Sequence, residues 1–331
     1  MCGEISVMSY KNAVILMAYG GAESVDEITA YLRHIRAHYS RMTGGGEPTR
    51  EEVEDLARRY RAIGGYSPLL RIVRSLSQKL ETHLNEQGYQ LRVYYGMKHS
   101  KPFIPEVFEA VINDGVENLL GIVLAPHYST MSVRGYHEAL VEANKTHGGR
   151  VHLILVDSWH LNPTYIDRLA RRIEQTRETK FNASRKVFYL FTAHSLPEKI
   201  TEWGDPYPAQ LHQTVEALAS KLNLKAGEYG FAYQSASSHG EPWLGPSVEE
   251  KLEQLRAQDW RNVLVAPIGF VSDHLEILYD IDIELTQKAS ELGLTLERIE
   301  SFNDSDDFVE VLASVIAESG FKAQLKHQSV A

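Results

Sequence analysis

Four side chains in the second half of this sequence are of the kinds that handle metals and protons. His194 follows the apolar run "KVFYLFTA" (186–193), and Glu276, Asp280 and Glu284 recur at every fourth place in "GFVSDHLEILYDIDIE" (269–284). Imidazole with carboxylate is the ligand mixture expected for iron, zinc, cobalt or nickel. The same pair would serve equally as a general base and its partner. Carboxylates crowded in a cleft repel one another and hold protons more tightly unless a cation joins them. The row is thus a path for a divalent cation or for protons; on an open helix face it is only a solvated acidic stripe. A four-residue step overshoots a full turn of an ordinary α-helix by about 40°. The row would then run as a slanting ridge, which a local π-bulge would straighten; such bulges concentrate at functional sites. Two ligands are too few for a permanent metal site, which points to a metal that is handed on.

Strands and helices alternate around these groups. Apolar runs at 13–19, 91–97, 118–126, 150–158, 186–193, 229–235, 262–271 and 295–301 read as strands. Helical spacing fills 102–114, 132–145, 163–178, 206–223, 246–257, 273–292 and 305–318. Ser24-Val25-Asp26-Glu27 has the form of a capping box opening the first helix. Near-continuous apolar strands between amphipathic helices argue for parallel sheets covered on both faces. The chain also echoes itself. "VILMAYG" (14–20) lines up with "YLFTAHS" (189–195), setting Tyr19 against His194, and "NLLGIVLAPHYS" (118–129) lines up with "NVLVAPIGFVS" (262–272). The expected fold is therefore α/β: two doubly wound, Rossmann-like halves, 12–160 and 161–320, facing a central cleft, with the last helix crossing to the first half. Ligands of such sheets bind beyond the carboxyl ends of the strands, where Tyr19, His127, His194 and the acidic row fall.

Composition narrows the class. The chain has 331 residues, a net charge of −10 and a pI of about 5.8, against a general nucleic-acid binder. The single cysteine, Cys2, excludes a disulfide within the chain, a zinc ribbon and a cysteine-ligated iron–sulfur cluster. No apolar run reaches membrane-spanning length, and the N-terminus does not read as a signal peptide, so a cytoplasmic protein is expected.

Taken in order, seven blocks resemble the ferrochelatases, most narrowly the coproporphyrin ferrochelatases of Gram-positive bacteria. They are "LMAYG" (16–20), "RRYRAIGGYSPL" (58–69), "YYGMKHSKPFI" (94–104), "VLAPHYSTMSVRGY" (123–136), "FTAHSLPEKITEWGDPYPAQLH" (191–212), "PWLGP" (242–246) and "PIGFVSDHLEILYD" (267–280). The resemblance implies a chelatase-type fold that inserts Fe²⁺ into coproporphyrin III, giving Fe-coproporphyrin III in haem biosynthesis. No permanently bound cofactor is implied. The metal-site pair of the family falls on His194 and Glu276. Its acidic relay falls on Asp280 and Glu284, where Mg²⁺ is a further candidate at the outer end. The tyrosine on the axial side of the porphyrin falls on Tyr19. Porphyrin contacts fall on Arg36, Arg59, Tyr60, Ser67 and Tyr136, and His99, His127 and His274 stand as supporting groups. The family also implies a monomer without stable membrane association, in transient contact with neighbouring haem-pathway enzymes. One departure stands out: many relatives carry Thr-Pro where this chain has Gly21-Ala22, which leaves the turn after Tyr19 less constrained. Three readings compete with this one: a protoporphyrin IX ferrochelatase, a cobalt or nickel chelatase of another tetrapyrrole, and a two-lobed haem- or metal-binding protein without turnover.

Overall fold

Two four-stranded sheets, parallel throughout, organise the computed structural model, which describes residues 10–38, 45–181, 186–236 and 241–321. β1 (Asn12–Ala18), β2 (Leu91–Met97), β3 (Asn118–Val123) and β4 (His152–Val156) lie in the order β2-β1-β3-β4. β5 (Phe188–His194), β6 (Tyr229–Gln234), β7 (Asn262–Pro267) and β8 (Thr295–Arg298) repeat that order as β6-β5-β7-β8. A detail of the loops repeats as well. The Met97 N–H donates to the Pro102 carbonyl, and the Tyr233 N–H to the Pro246 carbonyl, each at 2.8 Å. The internal echo in the sequence is thus an echo in topology. Cys2 and the first residues of the glycine-rich breaker at 43–49 lie outside the described residues.

The apolar runs follow from burial on both faces. In β1, Val14 and Leu16 join one core cluster, while Ala13, Ile15 and Met17 join another with α4 (Ile104–Asn113) and α5 (Val133–Thr146). Alternate residues thus serve opposite faces, the two-residue period of a strand. The first of these clusters also holds Phe191, Leu264 and Ala266 of the second sheet, so one continuous core joins the halves. α11 (Asp306–Glu318) packs on α3 (Leu69–Glu86) of the first half and on α6 (Pro163–Lys180).

Two local expectations change. Ser24 makes no side-chain cap, because a 3-10 turn (Val25–Glu27) precedes α1 (Ile28–His38); the Glu27 carboxylate accepts from the Glu23 N–H instead, at 2.9 Å. Complete capping boxes open α2 (Arg50–Ala62) at Thr49 and α8 (Val248–Ala257) at Ser247. The run "NVLVAPIGFV" is also not one strand. β7 stops at Pro267, and a loop carries the chain to α9 (Leu275–Leu278). The expected helix at 273–292 is in three parts: α9, a π segment (Asp280–Leu285) and α10 (Thr286–Glu291). The Glu284 N–H bonds the Tyr279 carbonyl at 2.9 Å, five residues back. That extra residue per turn removes the overshoot of an α-helix. The apolar side shows the same phasing, with Ile277, Ile281, Leu285 and Ala289 all buried at four-residue steps.

Candidate functional site

His194 is the last residue of β5, and it is held there from both sides. Its Nδ1 donates to the Ser195 carbonyl, and the Tyr207 hydroxyl donates to the His194 carbonyl at 2.9 Å. In the neutral ring the outward Nε2 then carries the lone pair, 3.7 Å from Glu276 Oε1. On the other side of the carboxylate, His274 Nε2 stands 3.4 Å from Oε2, and His274 Nδ1 bonds the Ser272 carbonyl at 2.8 Å. Glu276 therefore sits between two imidazoles, each fixed through its far nitrogen. A backbone carbonyl on that nitrogen fixes tautomer and ring direction, as in metal-ligating histidines. The Gln234 amide reaches the Glu276 carbonyl at 3.4 Å and is itself held by Thr192 at 2.8 Å. The rings of Trp243 and Phe270 flank His194, each with its centroid 6.1 Å away. His194 and Glu276 keep 26% and 34% of their side-chain surface, so both remain open to a ligand.

A separation of 3.7 Å is too long for a hydrogen bond. It suits two ligands sharing one small cation at about 2.0–2.2 Å each. Charge keeps Glu276 ionised for that use. Burial pushes Glu276 up, but His194, His274 and Arg59 outweigh it and hold the carboxyl at about 2. Burial pulls the His274 imidazole down, yet Glu276 leaves it raised overall. Among the described residues, no group of three or more His, Cys, Asp or Glu side chains converges as a metal cage.

The acidic row continues along the π segment from Glu276. Asp280 is 11% exposed, whereas Glu284 is exposed. Burial raises the Asp280 carboxyl, with Glu276 and Glu284 adding to the rise and Arg59 and Ser235 opposing it. Arg59 bonds one Asp280 oxygen and Ser235 the other. Arg59 thus sets a positive charge against Asp280. Its guanidinium also lies 4.8 Å from the Tyr279 ring centroid, so α2 of the first half is fastened to the π segment of the second.

On the first-half side, Tyr19 follows β1 in the place that His194 occupies in β5. It is 37% exposed, with its ring 4.5 Å from that of His99. The remaining expected porphyrin contacts divide into two kinds. Arg36 and Arg59 are partly exposed and already paired, Arg36 with Glu52 at 2.6 Å and with the Gly45 carbonyl at 2.9 Å. Tyr60, Ser67 and Tyr136 are buried. Tyr60 accepts from the Ala22 N–H at 3.1 Å, and the Ser67 N–H donates to the Ala22 carbonyl at 3.0 Å. These bonds correct the expected looseness after Tyr19. Gly20 takes φ +99°, and a Cβ on Gly21 would come within 2.7 Å of the Ser67 Cβ. Gly21-Ala22 thus allows a close backbone approach that a larger residue would block.

His127 stands behind the strand end, its ring 6.3 Å from that of Tyr207. It is buried where the halves meet, its Nε2 bonded to Thr214 Oγ1 at 2.8 Å, with the His160 ring 5.5 Å away. Burial pushes His127 well below its ordinary value and also lowers His160 and His99, the last to about 2. The unfolded chain therefore binds more protons than the folded one below about pH 6.5. Stability should be complete above that pH and fall as the solution is acidified, by up to about 1.4 kcal/mol per pH unit for each imidazole. Thermal melts from pH 7 to pH 5 should show this slope, and His127→Gln should flatten it.

Similarity to known proteins follows the same lines. The family model described as ferrochelatase matches residues 11–320. A ferrochelatase of Herpetosiphon aurantiacus is 43% identical over 311 residues, covering 93% of this chain and 99% of that protein. A coproporphyrin III ferrochelatase of Geobacillus kaustophilus is 39% identical over 319 residues, covering 95% and 98%. Among solved structures, SirB from Bacillus subtilis with Fe³⁺ superposes with a TM-score of 0.55 at 12% identity, over 95% of this chain and all of that one, a likeness of fold.

Proposed function

The chain belongs to the ferrochelatase family, and on that premise we propose that its porphyrin is coproporphyrin III and its product Fe-coproporphyrin III. The enzyme is a metal chelatase of haem biosynthesis, a lyase whose substrates are iron and a porphyrin. The reaction exchanges two pyrrole N–H protons for Fe²⁺ and changes no oxidation state, so it calls for no redox cofactor. The observation that carries the assignment of roles is the 3.7 Å gap between His194 Nε2 and Glu276 Oε1.

In this reading His194 Nε2 takes a pyrrole proton, the work for which imidazole is suited near neutral pH. Glu276, an anion throughout that range, meets the incoming Fe²⁺ and steadies the imidazolium that forms. Asp280, buried with a raised proton affinity, passes protons outward to exposed Glu284. Tyr19 stands on the opposite side of the macrocycle. Arg36 and Arg59 receive propionates through charge-assisted hydrogen bonds, each sharing or exchanging its present carboxylate partner. Tyr60, Ser67 and Tyr136 act from beneath, by shaping the wall. The enzyme is read as a cytoplasmic monomer that hands its product on by transient contact. No helix of the described residues is long and apolar enough to cross a membrane.

Support for coproporphyrin III comes from relatives of that name at 37–39% identity; the relative at 43% carries only the general name. Coproporphyrin III carries more propionates than protoporphyrin IX, so specificity constants measured side by side test the choice. We expect kcat/KM to favour coproporphyrin III by at least about tenfold, roughly one charge-assisted contact. Equal constants would refute it.

A further inference from the structure

A π turn is rarer than an α turn and needs an outside hold to persist. Wound as α-helix, the segment would carry Glu284 about 40° out of line with Asp280. Arg298, at the end of β8, faces it from the second sheet. The guanidinium grips Asp282 of the π segment with two bonds, Nε to Oδ1 at 2.6 Å and Nη2 to Oδ2 at 2.8 Å. The third nitrogen, Nη1, lies 3.5 Å from Asp273 Oδ1 and bonds the Ile299 carbonyl at 2.9 Å and Ser301 Oγ at 3.2 Å. Asp273 is tied down in turn by Ser301 at 2.7 Å and Asn303 at 2.8 Å, and it immediately precedes His274. Only 14% of the Arg298 side chain is exposed, so these pairs are little screened.

We propose that Arg298 is the positioning residue of the acidic row: by holding Asp273 and Asp282 together, it fixes the winding of the π segment and the placement of Glu276. The proposal rests on the reading of the row as chelatase machinery. Arg298 touches neither substrate. It acts on both flanks of Glu276 at once, through the residue before His274 and through the turn that aligns Asp280 and Glu284. Lysine keeps the charge but lacks the planar fork for two parallel bonds, so Arg298→Lys isolates the geometry.

Two measurements on Arg298→Lys, Arg298→Ala and Asp282→Asn test this. The first is hydrogen exchange at the Ile283 and Glu284 amides, both of which bond the Tyr279 carbonyl. Protection there should drop about tenfold or more, with β7 amides unchanged. The second is iron insertion, where kcat should fall about 10–100-fold while the porphyrin KM stays within about twofold. Arg298→Lys and Asp282→Asn preserve the test if Arg298→Ala does not fold. Unchanged protection would mean that Ile277, Ile281 and Leu285 set the winding by packing, and the proposal is overturned. Lost protection with normal kcat, or a KM rising as much as kcat falls, overturns it as well. Failure of the underlying reading looks different: Glu284→Gln in the native background would then leave turnover untouched.

Discussion

His194→Ala should abolish most iron insertion, with kcat lower by about 10³-fold, and leave porphyrin binding within about threefold. The side chain removed is one that supplies a lone pair at the mouth of the second sheet. The carbonyl that fixes the strand end is main-chain and survives the change, so Tyr207 keeps its 2.9 Å bond. The fold should survive as well, because His194 keeps 26% of its side-chain surface open, so truncation widens an open mouth rather than leaving a sealed cavity. Porphyrin fluorescence quenching would report binding, and stopped-flow absorbance would report insertion. Turnover at the native rate would remove His194 from the chemistry. Loss of binding along with turnover would make the residue part of the wall instead.

Glu276→Gln should cost about 10²–10³-fold in kcat, with little change in shape. The amide keeps the volume and loses the charge that faces both imidazoles. His274 would lose the partner that holds its pKa up, and Fe²⁺ would lose an anionic ligand. The pH dependence has a definite sign. A carboxyl held at about 2 in the folded chain, against about 4.3 when unfolded, stabilises fully above the unfolded value. That stability is lost as pH falls through the folded value. The variant should therefore melt below the native protein at pH 7, and the gap should close as pH approaches 2. A gap that widened in acid would mean that the carboxylate is a net burden in the fold.

Strand positions were legible because buried parallel strands write themselves as apolar runs. The repeat of strand order was legible through the match of "VILMAYG" with "YLFTAHS". The end of β7 was not, because "IGFV" stays apolar while it packs as a loop; a Cβ on Gly269 would meet the Ala193 Cβ at 2.9 Å. The four-residue step announced a row and raised the question of a π turn, but the backbone bond to Tyr279 is invisible in side-chain letters. Partners distant in sequence were the hardest. Nothing near Arg59 points to Asp280, and nothing in "TLER" points to Asp282 or Asp273. Tyr60, Ser67 and Tyr136 sit in matching motifs whether they touch a ligand or support a wall, and only burial separates the two. His274 carries a local signal, lying two places before the Glu276 it faces.

The core cluster that threads both sheets has a mechanical consequence. Close-packed interiors do not stretch, and α11 packs on both α3 and α6. A clamshell swing of the two lobes would have to break that shared packing. α1 and α2 pack around a separate small cluster, Ile28, Ala57 and Tyr60, which meets the second lobe at Leu275 and through the ion pair of Arg59 with Asp280.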